Sequence, residues 1–260
     1  MIQIQTCPFC MKNVNEFHKR SHLIPEWMYT DCYDEKHKIS ELSSVKLCKK
    51  QKGIYSSFMC KKCEEETQKY DRYASLILTD RSPNSDEYKS IKKSHFEDNQ
   101  SGEKIKAVKW ENIDFKKLQK FVFSVILRTH FAGKFNGDMA LSKKHLDGIL
   151  AIYRNEDELS LDDSSYPILI TEFHKNELNN YVFLPCIKKQ VGHHIIEFSA
   201  SGYLFNVFVS SHSKPKVAKS CCLKKNGSMY LLKVFVNETG LYNAFRRVAN
   251  AYINAQKLTQ

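Results

Sequence analysis

The sequence predicts an α+β fold for this chain of 260 residues, and three observations carry that prediction. Two Cys-x-x-Cys pairs, Cys7-Pro8-Phe9-Cys10 and Cys60-Lys61-Lys62-Cys63, frame a mostly polar N-terminal stretch. Between about residues 114 and 153, apolar side chains recur at helical spacing. From Tyr166 onward, short β-type runs separated by turn residues give the pattern of an antiparallel sheet.

Three regions follow from these patterns: residues 1–79 with both cysteine pairs, a polar stretch at 80–104, and a strongly patterned region at 105–260. The polar stretch holds Ser-Pro, Asn-Ser and Ser-Gly turn signals, so it reads as a linker or a surface excursion. In the third region Asp114 can cap a helix running to about Phe131, with Leu118, Phe121, Val122, Val125 and Ile126 on its buried stripe. Ser142 can cap a second helix, with Leu146, Ile149, Leu150 and Tyr153 on one face. The runs YPILITEF, YVFLPCI, HHIIEFSA and YLFNVFV then read as strands, and His193-His194 as a strand start rather than a metal pair. Asn226-Gly227 is the dipeptide of a type I′ hairpin turn. A last helix is expected after Gly240, with Leu241, Phe245, Val248 and Tyr252 on one face.

Composition narrows the class. Hydrophobic residues make up 42% and aromatic residues 12% of the chain, which excludes a disordered polymer. No run approaches the roughly 18 apolar residues of a membrane span, and the N-terminus has no basic segment followed by an apolar one. The expectation is a cytoplasmic protein with no membrane partner. Lys and Arg number 40 against 29 Asp and Glu, a net charge of +11. Such an excess either favours an acidic partner, of which nucleic acid is the commonest, or serves solubility.

Nine cysteines, an odd number, with no export signal argue for reduced thiols rather than a disulfide scaffold. The two pairs are separated by 49 residues and can supply four thiolates, Cys7, Cys10, Cys60 and Cys63, to one tetrahedral structural Zn2+. A metal cross-link would supply folding energy that a thin local core cannot. A redox pair or unconnected cysteines are the alternatives. His18, His37, Cys32 and Cys48 are substitute ligands, but none improves the spacing.

Between the pairs lies Ser21-His22-Leu23-Ile24-Pro25, and the second pair opens a predicted helix as Met59-Cys60-Lys61-Lys62-Cys63-Glu64. This layout resembles the zinc-supported HNH endonucleases, which are built on a ββα-metal (treble-clef) finger. It is most similar to a bacterial subgroup linked to phage defence. The stretch from Phe121 to Arg128 also resembles the helix those proteins carry after the finger, and the likeness ends near residue 160. The resemblance implies a metal-dependent nuclease, a hydrolase of phosphodiester bonds in DNA more than RNA, with His22 as the general base. It implies Mg2+ or Mn2+ as the catalytic ion. Ser21, Tyr55 and Glu64 stand where the family usually places other metal-ligand residues. His22, Glu64 and Asp71, on the same helical face as Glu64, are the ligand candidates. The other reading of His22 is a backbone-bonded structural histidine, and of Glu64 a carboxylate suited to a helix N-terminus.

Lys19, Arg20, Lys49, Lys50, Lys52, Lys61 and Lys62 surround these motifs. Residues 1–63 hold 11 basic against 6 acidic side chains. Clustered cations of this kind can grip backbone phosphates without reading sequence. Lys214–Lys225 and Arg246-Arg247 can extend that surface or dock a regulatory protein partner. The competing expectation is a non-catalytic zinc-finger module that binds nucleic acid or a partner protein.

Overall fold

The computed structural model describes residues 4–42, 47–50, 53–79, 81–98, 105–133, 139–155, 164–174, 180–190, 192–210 and 212–235. The expected helix after Gly240 lies outside them, as do Lys52, Arg246 and Arg247. No helix among the described residues is long and apolar enough to cross a membrane.

The N-terminal region consists of short strand pairs and one long helix. Strands β1 (Gln5–Thr6) and β2 (Asn13–Val14) form a two-stranded ladder around the first cysteine pair. Strand β3 (Ser21–His22) precedes a 3-10 turn over Glu26–Cys32 and a hairpin of β4 (Ile39–Leu42) with β5 (Leu47–Lys50). Strand β6 (Tyr55–Ser56) returns to pair antiparallel with β3, His22 opposite Tyr55. Helix α1 (Lys61–Leu78) follows directly, with Cys60 at its N-cap.

The polar stretch at 80–104 is a structured surface excursion rather than a bare linker. It contains a short helix, α2 (Asp86–Ser90), and an exposed edge strand, β7 (Lys92–Asp98), paired with β8 (Ile105–Glu111). An edge strand needs only one apolar face or none, so its polar sequence carries little strand signal.

Helix α3 (Phe115–Ala132) begins where expected. Asp114 caps it, its side chain accepting a 3.0 Å hydrogen bond from the Lys117 N–H, and left-handed Gly133 (φ 68) ends it. The expected stripe is buried, but so are Phe123, Ser124, Leu127, Arg128 and Thr129 on its other faces. The reason is position: α1 lies on one side and the large sheet on the other. Trp27 and Phe205 both pack on Phe121, with ring centroids 6.0 Å away. Helix α4 (Lys143–Arg154) starts after Ser142, which occupies the N-cap without a side-chain hydrogen bond.

The remaining strands are β9 (Ile168–Phe173), β10 (Phe183–Gln190), β11 (His193–Ala200), β12 (Tyr203–Phe208) and β13 (Met229–Val234). With β7 and β8 they form a seven-stranded sheet in the order β10-β11-β12-β9-β13-β8-β7. Every pairing is antiparallel except β9 with β13. One face rests on α3 through Phe198, Phe205 and Ile170; helix α5 (Lys216–Cys221) covers Leu169, Ile195 and Phe208 on the other. The main core runs without a break from Cys7 and Phe9 through α1 and α3 to the sheet. The regions before and after the polar stretch are therefore packed on each other.

Asn226-Gly227 does not make a type I′ hairpin. The segment before it is helix α5, and β13 pairs instead with β8 and β9. Only Gly227 has positive φ (77), so the left-handed pair that a I′ turn needs is missing. The Gly227 N–H donates to the Lys224 carbonyl at 2.8 Å, a tight turn that presents β13 to the sheet. A Cβ on Gly227 would lie 2.4 Å from the Ile113 carbonyl oxygen. Gly227→Ala is therefore expected to cost about 1–3 kcal/mol, from left-handed strain and the backbone clash, as measured by urea unfolding.

Candidate metal centre and adjoining histidine

Four of the expected ligands converge. The sulfurs of Cys7, Cys10, Cys60 and Cys63 all lie within 4.8 Å of one another. Cys7 to Cys63 and Cys10 to Cys60 are each 3.8 Å apart. Tetrahedral zinc with Zn–S bonds of about 2.3 Å sets its sulfurs about 3.8 Å apart, so these thiols can hold a metal such as zinc. The other proposed substitutes, His18, His37 and Cys32, are not in the cluster; the Cys48 side chain lies outside the described ones.

Local backbone structure builds both halves. In the first, the Met11 N–H donates to the Cys7 carbonyl at 2.7 Å, the Cys7 N–H to the Lys12 carbonyl at 2.9 Å, and Met11 turns left-handed (φ 57). In the second, the Cys60 N–H points at the Cys7 sulfur at 3.4 Å, while the start of α1 carries Cys63 back toward the cluster. The hydrogen bond with Cys63 lowers the Cys7 thiol to about 4. The same contact, then burial, raises Cys63, and burial raises Cys60. Thiols crowded this way resist sharing negative charge, and a divalent cation would relieve that conflict.

The cluster is anchored from across the core. Arg154, in the last turn of α4, donates from Nε to the Phe9 carbonyl and from Nη2 to the Pro8 carbonyl, both at 2.6 Å. Phe9 packs edge-on against Phe131 and Tyr153, each ring centroid 5.6 Å away.

His22 sits at the end of β3, its side chain 26% exposed. The Leu23 N–H continues the ladder by donating to the Ile54 carbonyl at 2.9 Å. Its Nε2 is 2.8 Å from Glu26 Oε2, off the line of an aligned hydrogen bond and otherwise buried. The carboxylate, four residues on in the 3-10 turn, was not among the sequence candidates. The i, i+4 spacing of His22 and Glu26 was its only signal.

The ligand set implied for Mg2+ or Mn2+ is not gathered. Among the described residues, the four cysteines form the only group of three or more ligands close enough for one ion. Asp71 is engaged by Arg128, its Oδ1 2.5 Å from Nη2. Glu64 is buried in the first turn of α1, with Oε2 unpartnered. Burial pushes the Asp71 carboxyl up, against the opposing pull of Arg128. His22, Glu64 and Asp71 share an electrostatic neighbourhood but do not form a ready cage.

The basic candidates spread around this unit. Lys19 and Arg20 are exposed in the turn before β3, and the Arg20 guanidinium carbon lies 5.8 Å from the Tyr55 ring centroid. Lys61 and Lys62 are exposed at the start of α1, where a helix dipole disfavours cations; Lys61 comes within 3.9 Å of Glu65. Lys49 and Lys50 lie on β5, opposite Ser40 and Ile39.

Protein expressed without added metal is expected to carry one zinc per chain by elemental analysis, and Cys60→Ser to lose it. Arg154→Ala is expected to cost about 2 kcal/mol in stability, for two charge-assisted bonds to the knuckle carbonyls, and to speed zinc transfer to a chelator. Equal zinc-transfer rates in the folded variant and wild type would show that the anchor does not support the cluster. No known protein family, curated protein or solved structure gives a match to this chain.

Proposed function

We propose that the chain hydrolyses phosphodiester bonds in nucleic acid, DNA before RNA, as a zinc-supported nuclease of HNH type on a treble-clef finger. The observation that carries this reading is the pairing of His22 with Glu26 on a β3–β6–α1 unit braced by four cysteines. A carboxylate 2.8 Å from Nε2 favours the proton on that nitrogen and stabilises the imidazolium, which leaves Nδ1 to take a proton from an attacking water. No partner engages Nδ1 among the described residues, and the ring reaches solvent. Exposed Lys19 and Arg20 precede β3 and exposed Lys61 and Lys62 open α1, and cations of this kind suit the flanking phosphates. His22 and Glu26 supply the proton transfer; Mg2+ or Mn2+ has no ready protein cage here, so the ion requirement is read from the assay.

A second reading is a zinc-finger module without catalysis, binding nucleic acid or a partner protein. The observation favouring it is that Asp71 is spent on Arg128 and Glu64 faces the interior, the two carboxylates a catalytic ion would use.

A plasmid-nicking assay in Mg2+, Mn2+ and chelator separates them. His22→Ala is expected to lower cleavage by ~10²- to 10⁴-fold, with binding in a salt-series gel shift unchanged. Glu26→Gln is expected to give a smaller loss of the same kind. Wild type that binds but nicks neither DNA nor RNA in any of these conditions would leave the binding module.

A further inference from the structure

The strongest feature outside the proton-transfer pair is a charged side chain sealed in the core. Arg128 is 1% exposed, the largest fully buried side chain among the described residues. A guanidinium cannot shed its proton, so burying it is costly unless its charge is matched and most of its N–H groups are bonded. Three contacts match the charge and engage Nη1 and Nη2, while Nε is buried without a hydrogen-bond partner among the described residues. Nη2 bonds Asp71 Oδ1 at 2.5 Å and Ser124 Oγ at 2.7 Å, and Nη1 donates to the main-chain carbonyl of His22 at 3.3 Å. The arginine thus joins three elements: α3, which carries it, α1 through Asp71, and β3 at the one residue proposed as the base.

Groups from the neighbouring elements surround His22. Glu26 approaches from the 3-10 turn and Tyr55 from β6, with Arg20 beyond that ring. Asp71 lies in its field from α1, and Glu64 in the field of Asp71. Arg128, from α3, reaches the His22 main-chain carbonyl. Asp71 and Arg128 are bonded to each other, so their opposite charges offset within the core.

We infer that Arg128 is a positioning residue for His22, holding the β3 backbone at the His22 carbonyl and tying it to Asp71 of α1. The role attached to His22 rests on the proposed nuclease reading; the placement does not. It follows that residues 1–79 do not contain a complete site, because a helix from the region after the polar stretch supplies this contact.

The test is amide hydrogen exchange followed by NMR in the full zinc-loaded chain. Arg128→Lys keeps the charge but loses the forked geometry, so the Leu23 amide is expected to exchange about tenfold faster while the amides of β11 exchange as in wild type. A purely structural part for Arg128 would speed both sets together. Unchanged Leu23 exchange in folded Arg128→Lys, or equal acceleration in β11, would overturn the inference. Asp71→Asn gives a second reading if Arg128→Lys does not fold. It frees Arg128 from its tie to α1 and is expected to speed Leu23 exchange in the same selective way; unchanged exchange would overturn the inference. None of these readouts is cleavage, so failure of the nuclease reading and failure of this inference are separable.

Discussion

The convergence of four cysteine sulfurs on one point constrains the N-terminal third of the molecule. It fastens the β1–β2 turn to the first turn of α1 across 49 intervening residues. Loaded with a metal, it would act as a cross-link. A cross-link over a loop of that length removes chain entropy worth about 4 kcal/mol from the unfolded state. A domain's whole stability is roughly 5–15 kcal/mol, so the contribution is large. Between the two anchor points Leu23, Ile24, Met28, Tyr29, Phe58 and Met59 enter the main core. The cross-link would add to that packing in holding β3 and β6 against α1.

That unit is not free-standing. Helix α3 is buried on nearly all sides because it is shared, with α1 and Trp27 on one flank and the sheet on the other. Three polar ties cross the same boundary. The Asp114 N–H donates to the Tyr73 hydroxyl at 2.7 Å, Arg154 holds the knuckle carbonyls, and Arg128 reaches Asp71 and His22. Each is a directional bond in a part-buried setting, where an unmade partner is costly. Motion of the sheet region relative to the N-terminal unit would break all three.

Much of this was legible in the sequence because the signals were local. The cysteine spacing named the four ligands. Asp114 and the apolar stripe after it located α3, and the run His193–Ala200 is strand β11 residue for residue. What was missed depends on tertiary context. Strand β7 is polar because it is an exposed edge, so it lacked the alternation that marks half-buried strands. Asn226-Gly227 was misread because a turn dipeptide reports local backbone preference, whereas the partners of β13 are chosen by the sheet. Arg128 looks like one more charge on a helix until α1 closes over it. Glu26 is an ordinary surface glutamate in sequence and becomes informative only when the 3-10 turn swings it onto His22 Nε2.

X-ray absorption at the zinc edge of protein purified without added metal reads the four-cysteine cluster most directly. Four sulfur scatterers at about 2.3 Å, lost with the zinc in Cys60→Ser, is the expected result. A first shell containing nitrogen or oxygen in place of one or more sulfurs, or a zinc content near zero in folded protein, would contradict it.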